Sequence, residues 1–150
     1  MADHDVGAPG PVSGLDHVGL TVADLAAAER WYCAAFGFRR EFAARLEAID
    51  LELVMLHHSA RGHRLELLHR TGSRPGLRAT DPAEAALSEG FGHIAFDVDG
   101  VDETFQRLLS LGARAVMSPR PSPEPGVRMA FVADLEGNLV ELLDRARSAT

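Results

Sequence analysis

An internal repeat constrains this chain more than any other feature. "HVGLTV" at residues 17–22 is echoed by "HIAFDV" at 93–98, and "LELLHR" at 65–70 by "VELLDR" at 140–145. Forty-nine residues separate His17 from Glu66, and forty-eight separate His93 from Glu141. Self-similarity at such a period marks one supersecondary unit used more than once. The chain of 150 residues then divides into modules at 14–70 and 91–145, a linker at 71–90, a mobile tail at 1–13 and a short tail at 146–150.

Each unit reads as β-α-β-β-β. The opening strands alternate with a period of two, Val18, Leu20 and Val22 against His17, Gly19 and Thr21, then Ile94, Phe96 and Val98 against His93, Ala95 and Asp97. Each strand therefore has one greasy face and one face carrying a histidine among small or polar neighbours. A helical pattern follows in each copy, with Leu25, Ala28, Tyr32 and Ala35 in the first and Val101, Phe105, Leu108 and Leu111 in the second. Gly37 and Gly112 supply stops. Strand-like runs occupy about 38–46, 49–57, 63–70, 113–118, 127–133 and 138–144. The helices are expected to cover the greasy face and to leave the histidine face concave. In the linker, Asp81, Pro82, Glu84 and Gly90 have the chemistry of a short capped helix. "SPRPSPEPG" at 118–126 carries four prolines at alternate positions, which predicts an extended, unpaired loop.

The polar residues on the histidine face come in matched sets. A lone histidine or glutamate in a strand would be unremarkable, but His17, Glu66, His93 and Glu141 occupy equivalent positions of a repeat. A carboxylate set among leucines needs a partner when taken from water. Two imidazoles and two carboxylates form a mixed N/O set suited to one divalent ion, nickel, cobalt, zinc, iron or manganese, with coordination positions left for two oxygens of a ligand.

Composition removes other chemistries. The net charge of −7 gives no basic footprint for nucleic acid or anionic lipid. No apolar run is long enough for a membrane span, and the N-terminus lacks a signal-peptide pattern. All fifteen basic residues are arginine, so neither a Schiff-base lysine nor a P-loop lysine exists. The single cysteine, Cys33, excludes an internal disulfide and reads as a small buried helix residue. A reducing, cytoplasmic setting fits.

The duplicated unit with His17, Glu66, His93 and Glu141 resembles the vicinal oxygen chelate superfamily, which includes glyoxalase I, methylmalonyl-CoA epimerase, extradiol dioxygenases and bleomycin-binding proteins. "DLEGNLVELL" at 134–143 is similar to the ending of glyoxalase-like members. The resemblance implies an α+β fold of two tandem βαβββ modules forming a cup-shaped eight-stranded sheet with helices on the outer face. It implies metal ligation by all four residues, as in the branch of glyoxalase I and the epimerase that moves a proton on carbon through an enediolate-type intermediate. In that branch Glu141 or Glu66 shuttles the proton. Glu52 is a candidate second base if the hairpin pairs it opposite Glu66, and Arg128 a candidate anion binder if it shares the face of Glu141. A one-residue slip would turn either residue away. The implied substrate is a small molecule: a thiol hemithioacetal, an acyl thioester or a related α-oxygenated carbonyl compound. A methylmalonyl-CoA-type epimerase and a non-catalytic small-molecule binding protein are the alternatives. A homodimer is expected, with the long linker favouring a cup closed within one chain. His57, His58, His63 and His69 read as surface or supporting residues, His69 foremost.

Overall fold

The computed structural model describes residues 13–145. The expected tails, 1–13 and 146–150, lie outside the described residues except for Ser13. The first module runs β1 (Val18–Thr21), α1 (Leu25–Phe36), β2 (Arg39–Leu46), β3 (Leu51–His58) and β4 (His63–Arg70). A one-turn helix, α2 (Pro82–Ala85), stands in the linker. The second module runs β5 (Ile94–Asp97), α3 (Val101–Ser110), β6 (Arg114–Pro121), β7 (Val127–Ala133) and β8 (Leu139–Arg145). The α+β architecture of two βαβββ modules is thus present. The strands hydrogen-bond as two sheets of four, in the orders β1-β4-β3-β2 and β5-β8-β7-β6.

Strand parity places every side chain. Val18 and Leu20 pair with Leu65 and Leu67 on one face, and Gly19 pairs with Glu66 on the other. In the second sheet Ile94 and Phe96 pair with Val140 and Leu142, and Ala95 with Glu141. The helices cover the greasy faces. Helix α1 buries Ala28, Trp31, Tyr32 and Ala35, starts at Asp24, whose carboxylate accepts the Ala27 N–H, and stops at Gly37. Gly37 has a left-handed φ of 74°, which a side chain would resist. Helix α3 buries Val101, Phe105 and Leu108. These side chains and the inner faces of both sheets form one continuous core. Each fully buried Leu, Val or Phe contributes about 1.5–3 kcal/mol of transfer free energy. Cys33 is half-buried in α1, and burial pushes its thiol pKa up, so it stays a neutral packing residue.

Two expectations about local structure are revised. Residues 118–121 belong to β6 rather than to a free loop. The strand accepts Pro119 and Pro121 because it lies at the sheet edge and its register with β7 is interrupted twice. The linker helix ends after a single turn, well short of Gly90. Its start is capped as expected, Asp81 accepting the Glu84 N–H. Ala79 and Ala85 pack on Phe131 and Leu139, so the linker covers part of the polar-side face of the second sheet.

The second module grips α1 at both ends. The Glu136 carboxylate accepts the N–H groups of Ala23 (2.8 Å) and Asp24 (2.9 Å) at the helix start. The Arg107 guanidinium donates to the carbonyls of Ala34 and Ala35 in the last turn. Each charge meets the end of the helix dipole that favours it. Between them the Tyr32 hydroxyl donates to Asp134 (2.9 Å), a buried carboxylate that also accepts the backbone N–H groups of Glu136 and Asn138. Phe36 stacks on Phe96 with centroids 4.0 Å apart. The "DLEGN" turn is therefore an inter-module clamp. Asp134→Ala strands four donors, the Asn138 side-chain amide included, and should lower unfolding free energy by about 2–3 kcal/mol, against about 1 kcal/mol for Tyr32→Phe, which leaves the turn's own bonds intact. Urea titration followed by circular dichroism measures both.

Candidate functional site

The first half of the candidate site sits at the β1–β4 pairing. His17 stands immediately before β1 and Glu66 lies within β4. The His17 Nε2 is 3.5 Å from Glu66 Oε2, with both side chains partly exposed. The second half repeats this at β5 and β8, with His93 Nε2 3.1 Å from Glu141 Oε2. Parity is the cause. The leucines flanking each glutamate point into the core, so the glutamate faces outward beside a small residue, Gly19 or Ala95. A methyl added at Gly19 would come 3.5 Å from Glu66 Oε2, so the small residue keeps the space at the carboxylate open.

The two halves are separate within one chain. Among the described residues, no three of the His, Cys, Asp and Glu side chains are gathered closely enough to hold one metal ion. The histidines also line different openings. His17 borders a cavity of about 950 Å³ with Phe36, Phe38, His58 and Phe96. His93 borders one of about 350 Å³ with Tyr32, Arg78 and Phe91. The structure thus pairs each histidine with its own module's glutamate and keeps the pairs apart.

The environment of His17 contains residues that sequence reasoning missed. Its Nδ1 lies 2.7 Å from Asp16 Oδ2. Arg64 donates to both oxygens of Asp16, at 2.8 and 3.1 Å, and to both oxygens of Glu41, at 2.9 and 3.1 Å. The hydrogen bond from His17, helped by Arg64, holds the Asp16 carboxyl below the usual aspartate range. His93 instead presents its ring to the edge of Phe131, with centroids 5.3 Å apart. The available signal for Asp16 was its place beside His17 where the repeat has Gly92.

Two candidate residues face the other way. The β3–β4 hairpin closes through residues 59–62, which sets Met55 opposite Glu66 and Glu52 opposite His69. Glu52 lies three positions from Met55, so it points to the helix side, where it binds Arg45 at 2.8 Å. It is not beside Glu66 and is no second base there. In the β7–β8 hairpin Phe131 opposes Glu141, so Arg128 falls on the helix side with Ala130 and Val132. The turn spans five residues, 134–138, and this one-residue slip reverses the expected face. Arg128 pairs with Asp102 of α3, holding that carboxyl below its usual range. His69 is likewise on the helix side, its Nδ1 3.0 Å from the Val22 carbonyl oxygen. His58 and His63 face each other across the hairpin mouth.

Comparison with known proteins agrees with this architecture. A Synechocystis protein named "probable lactoylglutathione lyase" is 27% identical over 131 residues, covering 86% of this chain and 93% of its own. A glyoxalase family protein from Bacillus cereus superposes with a TM-score of 0.75 at 23% identity, over 92% of this chain and 97% of that one. The trypanothione-dependent glyoxalase I of Leishmania major superposes with a TM-score of 0.65 at 24% identity, over 89% and 88%. At these identities the superpositions establish the shared fold. The sequence pattern of one family matches residues 14–142, nearly all of the described chain. The chain belongs to the Glyoxalase/Bleomycin resistance protein/Dioxygenase superfamily.

Proposed function

We propose that this protein is a divalent-metal-dependent, glyoxalase-like lyase or isomerase. It takes a small α-oxygenated carbonyl compound, a thiol hemithioacetal foremost, engages two neighbouring oxygens and moves a proton between carbons through an enediolate-type intermediate. The observation that carries the reading is the matched pair of His–Glu contacts, at 3.5 and 3.1 Å, on equivalent faces of a duplicated unit. The relative named as a lyase supports the same class. The epimerase alternative draws no support from Glu52, which lies on the helix side.

The donors fit such an ion in kind. Each pair offers an imidazole nitrogen and a carboxylate oxygen, and with Nδ1 engaged by Asp16 it is Nε2 of His17 that turns toward Glu66. A bound divalent ion would polarise the substrate carbonyl and stabilise negative charge developing on its oxygen. Glu66 and Glu141 are the groups that can take the proton from carbon and return it. Each is mostly buried, with side-chain exposures of 21% and 15%, so the interactions of its charge are weakly screened by water.

Among the described residues a single chain gathers two donors at each place, and a four-donor set needs both pairs. The reading therefore includes a homodimer in which the first module of one copy meets the second module of the other. Isologous two-fold pairing would create two equivalent sites.

Three outcomes are expected. Protein prepared without a histidine tag carries, or on addition takes up, nickel, cobalt or zinc, and Glu66→Ala or Glu141→Ala lowers metal content by more than tenfold, read by elemental analysis. Glu52→Ala and Arg128→Ala leave it unchanged; parent protein that takes up no metal would end the metal reading. When Glu66→Ala and Glu141→Ala chains are mixed by co-refolding, each mixed dimer regains one intact set and binds one ion. No recovery on mixing would mean that the set closes within one chain. Finally, the metal-loaded protein exchanges a substrate C–H proton with deuterated water, followed by NMR, and the exchange is lost in both glutamate variants; a protein that only sequesters its ligand shows none.

A further inference from the structure

We propose that Asp16 is a positioning residue for His17, one that makes the two halves of the site chemically unequal. The inference rests on the metal reading above and adds to it a residue that sets the presentation of one ligand. His17 Nδ1 and Asp16 Oδ2 are 2.7 Å apart, so the ring donates its Nδ1 proton to the carboxylate. That fixes the tautomer in which the Nε2 lone pair is free, and Nε2 is the atom facing Glu66. A carboxylate on the far nitrogen also orients an imidazole and strengthens it as a donor.

The arrangement is built, not incidental. Successive side chains of a strand point to opposite faces, yet Asp16 and His17 reach the same place because both precede β1, which begins at Val18. Asp16 is itself held. Arg64 bonds both of its oxygens, and Glu41 holds Arg64 from β2. Glu41 falls where the β2–β3 register shifts between Arg40 and Phe42, a bulge that frees its side chain from the regular alternation. The segment before β1, β4 and β2 are thus linked through Arg64 to the one carboxylate that meets the imidazole. The second module has Gly92 at the position of Asp16, and His93 meets the edge of Phe131 instead. His17 is a fixed ligand of raised donor strength, and among the described residues His93 is set by packing on Phe131 and by Glu141.

The test uses the full chain with ¹⁵N-labelled histidine. In metal-free parent protein, long-range ¹H–¹⁵N correlations should show His17 in the Nδ1–H form, with Nε2 as the bare nitrogen. Asp16→Ala should return His17 toward the mixed or Nε2–H form and leave the His93 signals unchanged. Asp16→Asn, whose carbonyl oxygen still accepts, should keep the parent tautomer and serves as the conservative rescue. Calorimetric titration with zinc or nickel should show affinity about 10- to 100-fold weaker for Asp16→Ala, and closer to the parent for Asp16→Asn. The Asp16 side chain is 64% exposed, so both variants are expected to fold, which circular dichroism checks. The proposal is overturned if Asp16→Ala keeps the Nδ1–H form, or if it loses that form with no change in metal affinity. If the parent binds neither metal, the metal reading fails and the ligand role of Asp16 fails with it, whereas tautomer loss alone still identifies Asp16 as the group that orients His17.

Discussion

The grip of the second module on helix α1 is the contact on which the geometry of this molecule depends. Glu136 at the start of the helix and Arg107 at its end place opposite charges where the helix dipole favours each. Tyr32 ties the middle of the same helix to the buried Asp134. These contacts are polar and directional, so they fix an angle between modules that hydrophobic burial alone would leave soft. Around them lies the shared core, in which Phe36 of one module stacks on Phe96 of the other. The separation of the two His–Glu pairs follows from this fixed relation.

Within each module the governing constraint is parity. A helix covers one face of the sheet, so every second residue of a strand is committed to the core and its neighbour to the open side. Glu66 and Glu141 are tolerated among leucines because the leucines point inward and the carboxylates do not. Gly19 and Ala95 opposite them leave the carboxylates accessible. The same rule that builds the fold thus delivers two donors to each open face, before any metal or substrate is considered.

The parts legible in the sequence were those that a repeat or a period encodes. The duplication located the strands and helices of both modules and the four candidate donors, and the spacing of Ala28, Tyr32 and Ala35 located the buried face of α1. What the sequence concealed was register. Whether Glu52 and Arg128 face the donors depends on how many residues each hairpin turn uses, and sequences of similar turn chemistry differ by one. The β7–β8 turn takes five residues, within which Asp134 collects the N–H groups of Glu136 and Asn138 while also accepting the inter-module bond from Tyr32. The role of "DLEGN" was equally hidden, since a clamp is invisible until its partner in the other module is known. Asp16 and Arg64, forty-eight positions apart, meet only through the β1–β4 pairing.

The same clamp decides how a four-donor set could form. Bringing both pairs to one ion inside a single chain would turn the modules against each other. It would break the Glu136 and Arg107 contacts to α1, expose Asp134 or leave it unpaired, and unstack Phe36 from Phe96. Of these the Tyr32–Asp134 bond is buried, and a buried hydrogen bond to a carboxylate is costly to lose because the remaining partner keeps its desolvation penalty. Association with a second copy asks for none of these losses. The proposed dimer would use the open faces, where Phe42 and Leu46 of β2 stand exposed at 44% and 42% on the side that carries Glu66. Covering such apolar surface favours association, and a two-fold axis would use each half-site once. In the proposed dimer the inter-module contacts would stay intact within each monomer, and the partner would complete the four-donor set.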